Sequence, residues 1–406
     1  MQLSPSPRAA DVQQQVRRFI SDKVLPVEAE LIRRQRELPD PWVVLPEIDA
    51  LKEQARAQGL WNLFLPSHSG LSVVDYAHIA EEMGHSLLAP ELFNCNAPDT
   101  GNIEVLEKYG SAEQQQQWML PLLEGTLRSA FCMTEPDVAS SDASNIQAQI
   151  VEDGDQLVLN GTKWWSTGVG HPRCGVLIFM GISAPSAHRH ARHSMVLVPR
   201  DTPGVRVRRL LHVFGDQDPP YGHGEVEFDA VRVPRSNLIA GPGRGFEIAQ
   251  GRLGPGRIHH CMRCIGAAER DLALMCARAQ ARIDFGKPLI NLGGNRDIIA
   301  DARIRIDMAR LLTLKAAALI DTEGALSAMA EISAIKVVAP ALACDIIDQA
   351  MQMHGGAGLS DDTPLAAMYA HARVLRLADG PDEVHRGLVA RIELARQAER
   401  VAEQGR

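Results

Sequence analysis

Two runs of sequence decide the fold: FCMTEPDVASSD at residues 131–142 and NGTKWWSTG at residues 160–168. Both are rich in short hydroxyl side chains, which supply hydrogen-bond donors. The second run adds Trp164 and Trp165, whose rings offer a flat apolar face with an N–H group. Clusters of Ser, Thr and Asp often mark simple turns. Together, however, the two runs suit a protein wall that faces a planar, polar cofactor.

The segments around these runs predict strands. Residues 146–151 alternate between apolar and polar, an Asp-Gly-Asp turn follows at 153–155, and residues 157–159 are apolar, which is a hairpin pattern. Further strand patterns cover residues 175–180, 194–198, 205–207 and 224–228. Short strands at this spacing predict a small antiparallel barrel.

Helical patterns flank the barrel. Residues 9–125 show apolar residues at helical spacing, with breaks predicted at Pro26, Pro41, Pro46 and Pro66. Long amphipathic helices are predicted at residues 258–285, 297–321, 325–354, 364–377 and 381–404, which favours a helical bundle. We therefore predict a mainly α fold with a central β-barrel: a helical domain (1–128), a barrel (129–240) and a C-terminal four-helix bundle (241–406).

Composition excludes several functions. The chain has 406 residues and a formal net charge of −8, which argues against nucleic-acid binding. No segment approaches the roughly 20 apolar residues of a membrane span. The seven cysteines, an odd number with no export signal before them, predict reduced thiols in a cytoplasmic protein.

A CxxC pair, Cys261 and Cys264, follows His259 and His260. These residue types can form a metal or redox site. There is no second CxxC, and residues three apart on a helix share one face as ordinary packing partners. We therefore expect no metal here.

The order of the opening motifs resembles the acyl-CoA dehydrogenase family, whose flavin loop reads T-E-P-x-A-G-S-D and is followed by N-G-x-K-x-W-I-T. The loop here is one residue longer. The resemblance covers about residues 10–400 and implies an FAD cofactor. It assigns the flavin ring and diphosphate to Cys132, Met133, Thr134, Ser141, Trp165, Ser166 and Thr167.

Two later segments extend this resemblance. The run RIDFGKP at 282–288 closes a helix with cations and Gly, a normal helix end. In the family the matching Arg reaches the flavin pyrophosphate of a neighbouring subunit; Arg282 and Phe285 keep this pattern, and the resemblance assigns both to the cofactor. The run HGGAG at 354–358 is by itself a helix cap, and the resemblance places Gln352 and Gly356 at the cofactor. A Gln that family members usually carry a few residues after the segment that matches RIDFGKP would fall near Gly293, so this chain lacks that contact on the adenine side.

The run RLADGPDEVH at 376–385 is, taken alone, a loop that caps the helix after it. The resemblance places Asp379 where the family carries its catalytic Glu. A carboxylate suits a step that removes the α-proton of a thioester, provided that burial raises its pKa. Asp is one methylene shorter than Glu. The family's alternative base position falls on Gly256, and its Thr contact is replaced by Pro381.

The resemblance also assigns substrate contacts to Ser141, Arg257 and Gly380. The runs RLGPGRIHH (252–260) and ADGPDEVH (378–385) look most like the branch of acyl-CoA dehydrogenase family members 10 and 11, without the kinase domain that animal members carry. The resemblance implies oxidation of an acyl-CoA to the trans-2-enoyl-CoA within fatty acid β-oxidation. In this reaction Asp379 would take the α-proton and flavin N5 would take the hydride.

Electrons would pass to an electron-transfer flavoprotein, and the protein would be a homodimer or homotetramer because the family's cofactor sites span subunits. Two alternatives stay open. One is a flavin oxidase of the same fold, acting on acyl-CoA or on nitroalkanes with an Asp base. The other is a non-catalytic paralogue that keeps the fold as a binding or assembly module.

Overall fold

The computed structural model describes residues 3–404, apart from the side chains of residues 253–255, which fall within the RLGPGRIHH motif. Helical residues make up 56% of the chain, and a curled sheet lies in the middle of the sequence. The mainly α fold with a central barrel-like sheet is therefore confirmed.

The first part of the chain is helical. Its helices are α1 (Pro7–Phe19), α2 (Leu25–Glu37), α3 (Pro46–Ala57), α4 (Pro66–Ser69), α5 (Val73–Met83), α6 (Ala89–Leu92), α7 (Asp99–Tyr109), α8 (Ala112–Gln114) and α9 (Leu120–Glu124). A π turn at Ile20–Val24 joins α1 to α2, and the Leu25 amide donates to the Ile20 carbonyl. The predicted break at Pro26 is wrong, because the π turn shifts the hydrogen bonds and the helix continues past the proline.

Seven strands form one sheet in the order β1-β4-β2-β3-β7-β6, with β5 paired to β4. They are β1 (Arg128–Cys132), β2 (Gln149–Asp153), β3 (Gln156–Thr167), β4 (Cys174–Ile182), β5 (His193–Pro199), β6 (Val205–Leu211) and β7 (His223–Pro234). The sequence did not predict β1, which contains the start of the first motif. β1 runs parallel to β4, and β2 makes one parallel pairing with β4. The sheet is therefore mixed, whereas a wholly antiparallel one was predicted.

Helices return after the sheet: α10 (Gly245–Ala281), α11 (Asn295–Glu323), α12 (Met329–His354), α13 (Leu365–Val374) and α14 (Asp382–Gln404). A small hairpin, β8 (Ile283–Asp284) and β9 (Lys287–Pro288), separates α10 from α11. The prediction that the first of these helices reaches Phe285 is wrong, because the chain leaves α10 at Ala281 and turns back at Phe285 and Gly286, both with positive φ.

The chain forms two compact units. The first contains the residues up to Ala29, then Pro66–Pro90, and the chain from Gly254 onward. Within it α5 packs against α1 and α11, and α12 packs against α11, α13 and α14. The second contains Glu30–Leu65 and Glu91–Leu253, and its sheet encloses an apolar core that includes Leu159, Phe179 and Phe228. The three-domain division stays a prediction.

Candidate functional site

The loop after β1, residues 133–142 (the cofactor loop), is fixed at its start by a buried ion pair. Lys163 is fully buried, and its Nζ donates to the Met133 carbonyl at 3.0 Å and to Glu135 Oε1 at 2.7 Å. Burial lowers the pKa of Lys163 to about 8. The Glu135 carboxylate also accepts the amides of Gln147 and Ala148, each at 2.8 Å. Such a pair holds the loop firmly because either charge alone would be buried without compensation.

The cofactor loop closes on its own backbone. The Ser140 hydroxyl is buried and accepts the Glu135 amide at 2.9 Å. Its neighbour Ser141 is exposed. The Trp164 amide donates to the Thr134 carbonyl at 2.9 Å and so ties the loop to β3. Of the predicted hydroxyl donors, Ser141 therefore faces outward while Ser140 serves the loop itself.

Trp165 lies on a bulge that turns it outward. The pairing of β3 with β7 shifts register between Lys163 and Ser166, and Trp165 has a φ of 53°. The residue is 42% exposed, and its ring lies 5.8 Å, centroid to centroid, from the ring of His223. A bulge re-aims a side chain in this way, so the Trp165 indole offers a flat face outside the sheet.

Other groups on this wall differ in their accessibility. Thr167 Oγ1 lies 2.9 Å from His223 Nδ1. The Cys132 and Ser166 side chains are fully buried in the sheet, and burial raises the pKa of the Cys132 thiol to about 11. Neither side chain is therefore accessible to a cofactor in this structure. The Trp164 Nε1 is buried and has no hydrogen-bond partner within residues 3–404.

In the other compact unit, residues 375–381 (the base loop) carry Asp379. Its backbone carbonyls are bound by side chains from three helices. Arg257 on α10 donates to the Asp379 carbonyl through Nε at 3.3 Å and Nη2 at 3.0 Å. His385 Nε2 on α14 lies 3.2 Å from the same oxygen. Lys336 on α12 donates to the carbonyls of residues 375 and 380.

The Asp379 carboxylate is partly buried beside a histidine. Its side chain is 21% exposed, and Oδ2 lies 3.5 Å from His260 Nε2. Asp379 has a φ of 55°, a left-handed conformation that Asp adopts more readily than most residues. Gly380 has a φ of 102°, and a Cβ there would lie 2.9 Å from His385 Nε2. The loop itself therefore requires glycine at this position.

The structure brings Arg257, Asp379 and Gly380 together, and their roles at a substrate stay predictions. The Arg257 guanidinium, expected at the substrate, uses two of its five N–H groups on the Asp379 carbonyl. Sequence reasoning missed Lys336 and His385. A signal for Lys336 was present, since it is a lone cation in the apolar run ISAIKVVAPALACDII.

The remaining predicted cofactor residues are exposed. Arg282 follows the end of α10, and Phe285 at the hairpin turn is 88% exposed. Gln352 lies exposed in the last turn of α12. In the glycine run, Gly355 has a φ of 64° and a Cβ on Gly358 would lie 2.6 Å from the Met351 carbonyl oxygen.

Gly356 differs from both of these glycines. A Cβ there would meet no atom within 4 Å. Within the described part of the chain, its lack of a side chain therefore has no internal explanation.

The CxxC pair is buried in α10. Burial raises the pKa of Cys261 to about 12 and raises that of Cys264 further, so both thiols stay protonated. Within residues 3–404, no three His, Cys, Asp or Glu side chains are grouped so that they could hold a metal ion. Across the same residues, no helix has the length and apolarity needed to cross a membrane.

Family models match along most of the chain: the acyl-CoA dehydrogenase N-terminal domain at residues 6–126, the middle domain at 130–231 and the C-terminal domain at 243–394. The chain belongs to the acyl-CoA dehydrogenase family, an oxidoreductase family whose cofactor is FAD. This confirms the family resemblance drawn from the sequence motifs.

Individual relatives agree. The chain is 55% identical to acyl-CoA dehydrogenase family member 10 of Mus musculus, over 97% of this chain and 37% of that protein. It is 51% identical to the probable acyl-CoA dehydrogenase FadE2 of Mycobacterium tuberculosis, over 98% of both. A solved Mycobacterium abscessus protein assigned as an acyl-CoA dehydrogenase is 60% identical, with a TM-score of 0.95 over 97% of this chain and 100% of that one. The chain thus spans well under half of the mouse relative's length.

Proposed function

We propose that this chain oxidises an acyl-CoA thioester to the trans-2-enoyl-CoA, with Asp379 as the general base. The observation that carries the proposal is the base loop: a partly buried carboxylate lies on a backbone whose carbonyls are bound by Arg257, Lys336 and His385. A general base needs this fixed geometry.

Features of the cofactor wall fit FAD. The unpartnered Trp164 Nε1 is a buried donor that a ligand can satisfy, and the exposed Trp165 ring suits stacking. Gly356 leaves open space for close approach of a diphosphate. The residues proposed to hold FAD are Cys132, Met133, Thr134, Ser141, Trp165, Ser166 and Thr167, with Arg282, Phe285, Gln352 and Gly356 from a second subunit. When bound, FAD supplies the acceptor for the hydride from the β-carbon.

Asp379 takes the proton from the α-carbon in this proposal. Ser141, Arg257 and Gly380 are the residues that we propose to contact the substrate, and the N–H groups of Arg257 that do not bind the base loop would donate to its thioester end. Asp reaches one methylene less far than Glu, and the left-handed backbone at residue 379 sets the direction of its side chain.

A panel of acyl-CoAs of short to very long chain length, including 4-hydroxyacyl forms, tests the reaction through bleaching of the flavin absorbance. We expect at least one member to bleach the flavin within the time of a turnover. If none of them does so in flavin-loaded protein, the proposed function is wrong.

Asp379→Asn tests the base. We expect the bleaching rate to fall by about 10²- to 10⁴-fold, because general base catalysis contributes about that much. The matched control is Asp348→Asn, an exposed carboxylate on α12, which should bleach at the wild-type rate. Full activity of Asp379→Asn would show that another group is the base.

We propose an electron-transfer flavoprotein as the electron acceptor and a homodimer or homotetramer as the active form. Slow reoxidation of the reduced flavin in air, with turnover on an electron-transfer flavoprotein, supports the acceptor assignment. Rapid reoxidation by dioxygen would instead make the protein an oxidase. Light scattering of the flavin-loaded protein measures the oligomer, and a monomer that retains FAD would overturn the two-subunit cofactor site.

A further inference from the structure

The last residue pair of β3 and β7 joins two polar side chains on one side of the sheet. Thr167, which ends β3, lies directly opposite His223, which begins β7. Thr167 Oγ1 and His223 Nδ1 are 2.9 Å apart, a hydrogen bond. The His223 ring also lies beside the Trp165 ring, whereas Ser166, between Trp165 and Thr167 in sequence, is fully buried. His223, Thr167 and Trp165 therefore share the side of the sheet on which Trp165 is exposed.

His223 is a neutral and mostly buried partner for this hydroxyl. Its side chain is 12% exposed. Burial lowers the pKa of its imidazole, and the charge of Asp216 opposes this only in part, so the ring carries a single N–H at neutral pH. Its Nε2 lies 3.7 Å from Asp218 Oδ2, which is beyond hydrogen-bond distance. A hydroxyl has one O–H and two lone pairs, so in either tautomer of His223 the Thr167 oxygen keeps hydrogen-bonding capacity for a ligand.

The backbone at this strand end is held independently of the two side chains. The Gly168 amide donates to the Gly222 carbonyl at 2.9 Å, directly after the Thr167 pair. A threonine side chain has three staggered χ1 positions, and the backbone hydrogen bonds do not by themselves fix which one is used. The bond to His223 Nδ1 selects one position and so sets the direction of both the hydroxyl and the methyl group. Its contribution is therefore the orientation of Thr167 rather than the pairing of the strands.

We propose that His223 is a positioning residue for the cofactor, which holds the Thr167 hydroxyl through Nδ1 in the orientation that binds FAD. This inference rests on the contact between Thr167 and FAD in the proposed function. His223 acts through Thr167 and does not need to touch FAD itself. Without His223, the Thr167 side chain would lose its alternative χ1 positions only when FAD binds, and that ordering would weaken binding.

Titration of the flavin-free protein with FAD, followed by quenching of flavin fluorescence, tests this role. His223→Phe keeps a ring beside Trp165 and removes Nδ1, and we expect the Kd for FAD to rise about 2- to 10-fold, the range for one neutral hydrogen bond. His223→Asn keeps a polar atom one bond beyond Cγ, where Nδ1 stands, and should return the Kd most of the way to wild type. The matched control His68→Phe, at an exposed histidine on α4, should leave the Kd unchanged.

A double-variant comparison separates positioning from a general structural effect. Thr167→Val removes the hydroxyl and should raise the Kd for FAD by itself. Adding His223→Phe to Thr167→Val should raise the Kd no further, because His223 acts through the hydroxyl. A wild-type Kd in His223→Phe, or additive effects in the double variant, would overturn the positioning role.

A second measurement needs no cofactor and covers the case in which His223→Phe does not fold. In flavin-free protein labelled with ¹⁵N-histidine, Thr167→Val should shift the His223 signals because the ring loses its hydrogen bond. The signals are assigned by their absence in His223→Asn. Unchanged His223 signals in Thr167→Val would overturn the inference.

The outcomes also separate this inference from the proposed function. Failure of every acyl-CoA to bleach the flavin would overturn the proposed reaction and would leave the FAD titrations valid. A wild-type Kd for FAD in Thr167→Val would show that Thr167 does not contact FAD, and would overturn this inference together with that assignment.

Discussion

The glycine run after α12 offers a sharp test of cofactor binding, through Gly356→Ala. A Cβ at this position meets no atom of the described chain within 4 Å, and the residue has no positive φ that would strain an alanine. Replacing such a glycine stabilises the folded state by about 0.4–1 kcal/mol, because it reduces the freedom of the unfolded chain. We therefore expect the flavin-free protein to be equally or slightly more stable in urea.

Binding of FAD should change in the opposite direction. If the backbone of Gly356 lies against the diphosphate, an added methyl group overpacks the contact at a cost of about 1–3 kcal/mol, which is roughly a 5- to 150-fold rise in Kd. Titration of the flavin-free protein with FAD, followed by quenching of flavin fluorescence, measures this change. The combination of unchanged stability and weakened binding separates a ligand contact from a folding defect.

The control is Gly358→Ala, two residues further on. Its Cβ would lie 2.6 Å from the Met351 carbonyl oxygen, so the flavin-free protein should lose about 1–3 kcal/mol of stability. An unchanged Kd for FAD in Gly356→Ala would refute the placement of this turn at the cofactor.

Three further outcomes are expected. Lys163→Met leaves Glu135 buried without its cation and should cost about 3–5 kcal/mol in urea unfolding; adding Glu135→Gln should recover part of this, and equal losses in the single and double variants would contradict the ion-pair role. Burial lowers the pKa of His171 to about 3, so the unfolded chain takes up a proton below about pH 6.5 that the folded chain does not, and stability falls as the pH falls. His171→Phe should therefore lose about 2 kcal/mol less than wild type between pH 7 and pH 5, and an identical pH slope would contradict a neutral buried ring. Lys336→Met leaves two base-loop carbonyls without their donor, so we expect a loss of about 2–4 kcal/mol in stability and a lower kcat; an unchanged kcat would mean that Lys336 does not hold Asp379 in place.

Sequence patterns predicted the helix, sheet and helix order because hydrophobic periodicity reflects burial directly. They failed where a tertiary contact decided the local structure. Pro26 is compatible with a continuous helix because a π turn precedes it. Helix α10 ends four residues earlier than predicted because residues 283–288 pair as a hairpin. The cations and glycine of this run are compatible with either a helix end or a hairpin, so the sequence did not distinguish the two.

For the candidate site, too, the sequence pointed to some residues and missed others. The motifs singled out Trp165 and Asp379 as candidate residues, because a cofactor-binding wall and a general base need particular residue types, and their roles stay predictions. They did not reveal Lys163 or Lys336 as loop anchors, since each is far in sequence from the carbonyl it binds. In a single sequence a buried lysine is visible only as a charge in an apolar run. Its hydrogen-bond partner can be identified only from the folded structure.

The base loop has a mechanical consequence. Side chains on α10, α12 and α14 bind its carbonyls, so three helices hold the loop in place. The loop cannot move as a lid without breaking several hydrogen bonds to cationic or imidazole donors at the same time. The backbone that carries Asp379 is therefore fixed before any ligand binds.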